Sequence, residues 1–326
     1  MNTISILSPF LVALPVSFLA TFILIPLLRE AGIVGRDMHK PGRPEVAEMG
    51  GLAIVAGFSA GILMVLGEIS FLHLFPEVDM VALLAALATV LLTSLIGLVD
   101  DLIGLRQWVK ALLPVIAALP LMAVRAGHTW MKVPFIGRVN FWIFYPLVLV
   151  PLGVTGAANA VNMLAGFNGL EVGMGLVALG SLAIIAASVH ATTSLVLLLA
   201  GLGALLGVIY FNWYPARILI GDVGTLSIGA LIATAVIIGN FEAAGLIVII
   251  PYALDFLIKA VHGFPTENWW GELRGGKLHC PTGDPVGLAQ LIMKLTRGVH
   301  ERTLVLMLIG LEALCGLAAV LLYARF

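Results

Sequence analysis

The chain has 326 residues, of which 61% are hydrophobic and 11% charged, with 17 Lys+Arg, 18 Asp+Glu and a mean hydropathy of +1.11. A soluble domain carries about 25% charged residues and exposes apolar patches of at most about 600 Å², so a soluble enzyme, a disordered chain, a fibrous protein and a small disulfide scaffold are excluded. The net charge of −1 gives no basic face, and no nucleic-acid partner is expected.

In chain order the apolar runs fall at about 4–28, 50–67, 80–99, 108–124, 141–161, 173–189, 193–211, 225–240, 243–262 and 303–324. Each approaches the roughly 20 residues that a helix needs to cross a bilayer, and none alternates as an outer-membrane barrel strand does. They are rich in Gly and Ala, as helices packed closely within lipid are. The predicted fold class is all-α: an integral membrane protein of about ten transmembrane helices, one polytopic membrane domain over 1–326 with a loop at 263–302 that the charge distribution places in the cytoplasm. The first run has no positive flank and is too long for a signal peptide, so it reads as a first span. Cys280 and Cys315 have neither metal nor disulfide spacing.

Ten spans put both termini on one side. All but Arg125, Lys132, Arg138 and Arg325 of the 17 Lys+Arg follow odd-numbered runs. The positive-inside rule therefore places those loops in the cytoplasm and both termini outside it. The stretch 125–138 is discordant.

Charge is scarce, so each charged group beside an apolar run is informative. Asp100 and Asp101 close the third run in VDDLIGLRQWVK, and Lys110 opens the fourth. Adjacent carboxylates at a membrane boundary are costly without a partner. A metal with phosphate on the Lys ammonium satisfies them; so does pairing with Arg106 and Lys110 at a solvated helix end. In NAVNMLAGFNGLE, Asn159 and Asn162 share a helix face, and Gly166 and Gly169 permit a tight loop presenting Asn168. An Asn offers an oxygen to a hard cation, or a paired donor and acceptor to a base edge; interhelical hydrogen bonding is the alternative. In FNWYPARILIGD, Pro215 ends a helix and Asp222 opens the next, either as its N-cap or as a metal ligand.

The basic loop at 29–43 attracts anionic lipid or phosphates, or merely follows the positive-inside rule. His262, His279 and His300 lack zinc spacing, Asp255 and Lys259 read as a pair at a helix end, and Glu312 has no evident partner. Asp100, Asp101, Lys110, Asn162, Asn168, Asp222 and His262 converge on the cytoplasmic side. A carrier places its polar site near the midplane. Clustering at one face favours an interfacial enzyme acting on a lipid head group.

At EMGG (48–51), VDDLIGLRQWVK (99–110), NAVNMLAGFNGLE (159–171), NWYPARILIGD (212–222) and HGFP (262–265), the chain resembles the polyprenyl-phosphate N-acetylhexosamine-1-phosphate transferases. It is most similar to the branch making dolichyl-diphosphate-GlcNAc. The resemblance implies transfer of sugar-1-phosphate from UDP-GlcNAc, or a related UDP-N-acetylhexosamine, to dolichyl or polyprenyl phosphate, with release of UMP. It is the first membrane step of lipid-linked oligosaccharide synthesis for N-glycosylation. By the same resemblance Asn162 and Asp222 hold Mg²⁺ (or Mn²⁺), Lys110 neutralises diphosphate oxygens, and Asp100 and Asp101 serve the lipid-phosphate and metal region as catalytic residues. Asn168 reads the uracil edge and Glu48 meets the ribose, with Asn159, Gly166, Arg217 and His262 completing the substrate-binding set. Membrane lipids, and a second copy of the chain in a homodimer, are the remaining partners. Two departures stand out. The loop VHGFPTENWW lacks the arginines of the eukaryotic branch, and the loop before His300, Glu301 and Arg302 is short. The short loop points to an archaeal-like member in the cell membrane, with the endoplasmic reticulum as the eukaryotic alternative. Rival readings are a bacterial-type enzyme loading undecaprenyl phosphate with GlcNAc-phosphate or phospho-MurNAc-pentapeptide, and a nucleotide-sugar or lipid transporter.

Overall fold

The computed structural model describes residues 6–133, 137–265, 270–281 and 283–324; Arg325, used above for topology, lies outside them. Every predicted apolar run coincides with a helix or a group of helices. Eight are single helices long and apolar enough to cross a membrane: α1 (Ser8–Glu30), α2 (Gly51–Leu72), α3 (Met80–Ile103), α5 (Tyr145–Met163), α6 (Leu170–Ser188), α7 (Thr192–Asn212), α8 (Gly221–Gly239) and α12 (Glu301–Tyr323). The protein is a multi-pass membrane protein.

The two remaining runs differ from the simple spans expected. The run at 108–124 is a shorter, segmented helix, α4 (Gln107–Ala123). Pro114 and Pro120 each open a new segment within it, because proline lacks the donor that continues a helix. The run at 243–262 is a pair, α9 (Glu242–Val248) and α10 (Ile250–Val261), bent by 61°. Pro251 stands at the start of α10.

Strand is also present where only helix was expected. Antiparallel hairpins β1–β2 (Val34–Arg36, Glu45–Ala47), β3–β4 (Trp130–Val133, Gly137–Asn140) and β5–β6 (Glu272–Arg274, Lys277–His279) lie between the helices. Strands of three or four residues are too short to show a period in sequence. They form because loop backbone near a membrane still needs its hydrogen bonds made. A short helix, α11 (Leu288–Leu295), adds structure to the 263–302 segment.

The most buried helix is α8, with 83% of its apolar window buried against 22% for α1, so α8 is the hub and α1 faces lipid. Small residues let backbones approach it. A Cβ at Gly97 of α3 would lie 2.5 Å from Asp222 O, Val223 N and Val223 Cα. Gly51, at the start of α2, sits directly on the Gly224 backbone.

Candidate active site

Asp100 and Asp101 are neighbours in the last turn of α3 and point to different tasks, since successive helix residues diverge. Asp101 Oδ1 accepts the Asp222 N–H at 2.8 Å, and Oδ2 accepts the Val223 N–H at 3.0 Å. A carboxylate from another helix thus satisfies two orphan donors at the positive end of α8. Gly221 makes the turn at φ +65°, where a Cβ would meet Asp101 Oδ2 at 2.5 Å. The N-cap reading of Asp222 is therefore corrected: Ile220 is the capping position and Asp222 lies inside the first turn.

Freed from capping, the Asp222 side chain pairs with Lys110. Asp100 completes the arrangement, accepting the Leu105 N–H at 2.6 Å on Oδ1 and meeting Lys110 Nζ at 2.7 Å through Oδ2. One ammonium is held between two carboxylates from helices far apart in sequence. Asp101→Ala strips two N–H groups of their acceptor and should lower stability by roughly 2–3 kcal/mol, read as a drop in melting temperature in detergent. Asp100→Ala leaves that cap intact and strips one N–H, that of Leu105, while Lys110 keeps Asp222, so it should cost about 1 kcal/mol, less than Asp101→Ala. Equal melting of both variants contradicts this division.

Glu48 joins this site through backbone pairing. The Leu219 N–H donates to Ala47 O, and the Gly50 and Gly51 N–H groups donate to Leu219 O and Ile220 O, each at 2.8 Å. The EMGG segment is thereby laid along the stretch that enters α8. Burial, and then the charge of nearby Asp101, raise the Glu48 carboxyl above the ordinary range.

α5 packs on α8 with Gly229 against Ala157 and Ala158. The two helices run antiparallel, so Asn162 and Asp222 lie at the same end. The Asn162 Nδ2 is buried with no hydrogen-bond partner among the described residues. Asn159 is engaged within the fold, its amide donating to Ala111 O at 3.0 Å and Thr155 O at 2.8 Å. Arg217 is exposed, and its guanidinium lies over the Tyr210 ring at 5.1 Å. His262 is also exposed, with Nδ1 donating to Ile258 O at 2.8 Å and Nε2 3.3 Å from Asp284 Oδ2. The backbone bond, followed by Asp284, holds its imidazole pKa above the usual value. Asp255 and Lys259 pair at 2.8 Å, as their spacing suggested. Asp255 also accepts the Leu288 N–H, and Lys259 donates to Met163 O, tying α10 to α11 and α5.

A second buried polar group surrounds Asn168. Its Oδ1 accepts from Lys40 Nζ at 2.8 Å and the Ala216 N–H at 2.7 Å, while Nδ2 donates to Asp37 Oδ2 at 3.1 Å. Its own N–H donates to Glu301 Oε1 at 2.9 Å. The amide's donor and acceptor are thus both committed to protein groups. Gly166, in the same loop, donates its N–H to Glu171. Asp37, His39, Lys40 and Glu301 were absent from the expected site. The loop at 29–43 had been read only for its charge, yet Asp37 and Lys40 at i,i+3 were available as a signal. Asp37, His39 and Glu301 place ligand-type atoms within 4.8 Å of one another, but Lys40 already pairs with both carboxylates. Burial holds the His39 imidazole down at about 4, so it is neutral at pH 7. It stacks on Phe167 at 4.4 Å and 19°.

Carboxylates and an ammonium gathered at one end of a bundle of long apolar helices define a multi-pass membrane protein with a charged site at the ends of its spans. Residues 83–240 match the model of glycosyl transferase family 4. Over 325 residues, 99% of this chain and 98% of the relative, the chain is 36% identical to a Saccharolobus solfataricus protein named provisionally as a UDP-N-acetylglucosamine–dolichyl-phosphate N-acetylglucosaminephosphotransferase. A Dictyostelium discoideum protein bearing that name outright is 29% identical over 91% of this chain and 84% of its own length. A Bacillus subtilis relative, 28% identical over 78% of this chain and 69% of its own, is named provisionally as an undecaprenyl-phosphate N-acetylglucosaminyl 1-phosphate transferase. The chain belongs to glycosyl transferase family 4.

Proposed function

We propose that the protein transfers N-acetylglucosamine-1-phosphate from UDP-GlcNAc to dolichyl or a related polyprenyl phosphate, releasing UMP. The observation that carries this reading is Lys110 held between Asp100 and Asp222 at the end of α8 where Asn162 of α5 also lies. The same two helices, with the bent pair α9–α10, wall an apolar cavity of about 520 Å³, with Gly153, Ala157, Ile232, Val236, Ala253 and Phe256 in its wall. The charged group suits a phosphate, and the cavity further along the two helices suits hydrocarbon.

In the reaction an oxygen of the lipid phosphate attacks the sugar-bearing phosphorus of the donor. The bond from that phosphorus to the bridging oxygen breaks, and UMP leaves with its electron pair. The acceptor is already largely ionised near neutral pH, with a second pKa of about 6, so no strong base is required and direct attack is preferred over a covalent aspartyl intermediate. What the residues supply is alignment and charge neutralisation. Lys110 meets phosphate oxygens, Asp100 orients Lys110, and Asp101 fixes the start of α8. The oxygen-rich set of carboxylates suits a hard divalent cation, toward which Asn162 would turn its amide oxygen. Asp222 and Asn162 would hold Mg²⁺ (or Mn²⁺), which when bound screens the diphosphate charge. The distribution of Lys and Arg supports a cytoplasmic position for this face, in an archaeal cell membrane.

The nucleotide end falls to the loop bearing Gly166 and Asn168. Because the Asn168 amide is held by Asp37, Lys40 and Ala216, we assign it the positioning of that loop in the free protein. Glu301→Gln keeps the shape but weakens two charge-assisted contacts. It should raise KM for UDP-GlcNAc about tenfold, one 1.4 kcal/mol step, with KM for the acceptor within about twofold. An equal rise in both sinks the assignment.

The function itself is tested by incubating purified protein with radiolabelled UDP-GlcNAc and dolichyl or undecaprenyl phosphate and weighing the lipid product. Equal or better use of undecaprenyl phosphate favours the bacterial-type acceptor suggested by the Bacillus relative. Activity only with UDP-MurNAc-pentapeptide, or flux across proteoliposomes without UMP, overturns the proposal.

A further inference from the structure

The wall of the apolar cavity changes character at its far end. Along α5 it runs from Ala160, beside Asn159, to Tyr145 at the opposite end of the helix. At about 1.5 Å per residue that path is about 22 Å long, most of a hydrocarbon core of about 30 Å. There Tyr145, 2% exposed, donates its hydroxyl hydrogen to Glu242 Oε1. Glu242 is the one charged residue among the described residues that line the cavity.

An isoprenoid tail that enters from the bilayer leaves one apolar medium for another, so its gain is packing contact rather than release from water. Such a gain continues only while the wall is apolar. Covering the remaining lone pairs of a carboxylate with hydrocarbon is unfavourable, and the tail has lipid beside it as an alternative. Leu152 and Leu246, both in the cavity wall and both more than half exposed, mark the side through which it returns to the bilayer.

We propose that the Tyr145–Glu242 pair is the end-stop of the acceptor groove, so that the enzyme reads a fixed number of isoprene units next to the phosphate and ignores the rest. This rests on the polyprenyl-phosphate reading above. An isoprene unit adds four skeletal bonds of about 1.5 Å, or about 5 Å of zigzag chain, so about 22 Å of wall holds about four units. Tyr145 and Glu242 touch no reacting atom; they set acceptor specificity.

The test is kcat/KM for polyprenyl monophosphates from two to eleven isoprene units, at constant mole fraction in detergent. For the parent protein kcat/KM should rise about threefold per added unit, each less than one tenfold step, and level off after about four or five units. In Glu242→Leu and in Glu242→Ala, which remove the carboxylate, the rise should continue for at least one more unit before levelling, whereas Tyr145→Phe, which leaves the carboxylate facing the groove, should keep the parent's plateau. Glu242→Ala is the smaller change, so the test survives if Glu242→Leu folds poorly. A length-independent kcat/KM in the parent, or an unmoved plateau in a folded Glu242 variant, overturns the end-stop while UMP release still upholds the activity. No UMP release with any polyprenyl phosphate overturns both.

Discussion

Asp222→Ala is expected to reduce UMP release by at least about 10³-fold while leaving the melting temperature nearly unchanged. The size of the loss follows from removing a charged group aimed at a reacting diphosphate, where single groups are worth about 10²–10³ in kcat and more when they also hold a cation. The stability half follows from the geometry at the start of α8. The Asp222 N–H stays capped by Asp101, and truncating the side chain releases its hydrogen bond with the Asp100 carboxyl and its pairing with Lys110, which Asp100 still holds at 2.7 Å. Asn162→Ala should lose activity on a similar scale, and the double variant should fall little further, since groups serving one ligand are not additive. Initial rates at saturating substrates, taken across a Mg²⁺ titration, measure this. Near-normal turnover in both single variants removes these residues from the proposed metal site.

Gly97→Ala should damage the protein in the opposite way, through its fold. The added Cβ would lie 2.5 Å from three backbone atoms of Asp222 and Val223, well inside the roughly 3.5–4.0 Å at which carbon contacts turn favourable. Backbone cannot swing aside as a side chain can, so α3 and α8 must part. That separation also pulls Asp101 from the α8 N–H groups. A loss at or beyond the roughly 3 kcal/mol upper range of overpacking is expected, seen as a large fall in detergent melting temperature and in monodisperse yield. Gly180→Ala is the control: nothing lies within 4 Å of its added Cβ, and Ala is the better helix former. If both variants melt with the parent, the close approach of α3 to α8 is not limiting.

The spans were legible because they are written in composition over some twenty residues at a time. Pro114, Pro120 and Pro251 were visible too, and they mark the segmented α4 and the bend before α10. The hairpins were not legible, since three residues of strand carry no period. Asp100 and Asp101 could not be told apart as neighbours of one type; only the position of α8 gives one the cap and the other the lysine. The contact of Lys40 with Glu301 spans 261 residues, and no local spacing encodes such a partner. Asn168 was readable as a loop residue, but not as one whose amide the protein itself occupies. Glu312 stays unassigned: it is fully buried, and its carboxyl oxygens have no hydrogen-bond partner among the described residues.

The 61° bend between α9 and α10 has a kinetic consequence. If the cavity walled by that bend and by exposed Leu152 and Leu246 takes the prenyl substrate as proposed, that substrate arrives sideways from a two-dimensional fluid, whereas the nucleotide sugar comes from water. The two substrates then obey different laws of supply. Turnover will follow the donor's molarity but the acceptor's surface density, so adding empty detergent micelles or blank lipid at fixed total acceptor will slow the reaction as competition would, with no inhibitor present.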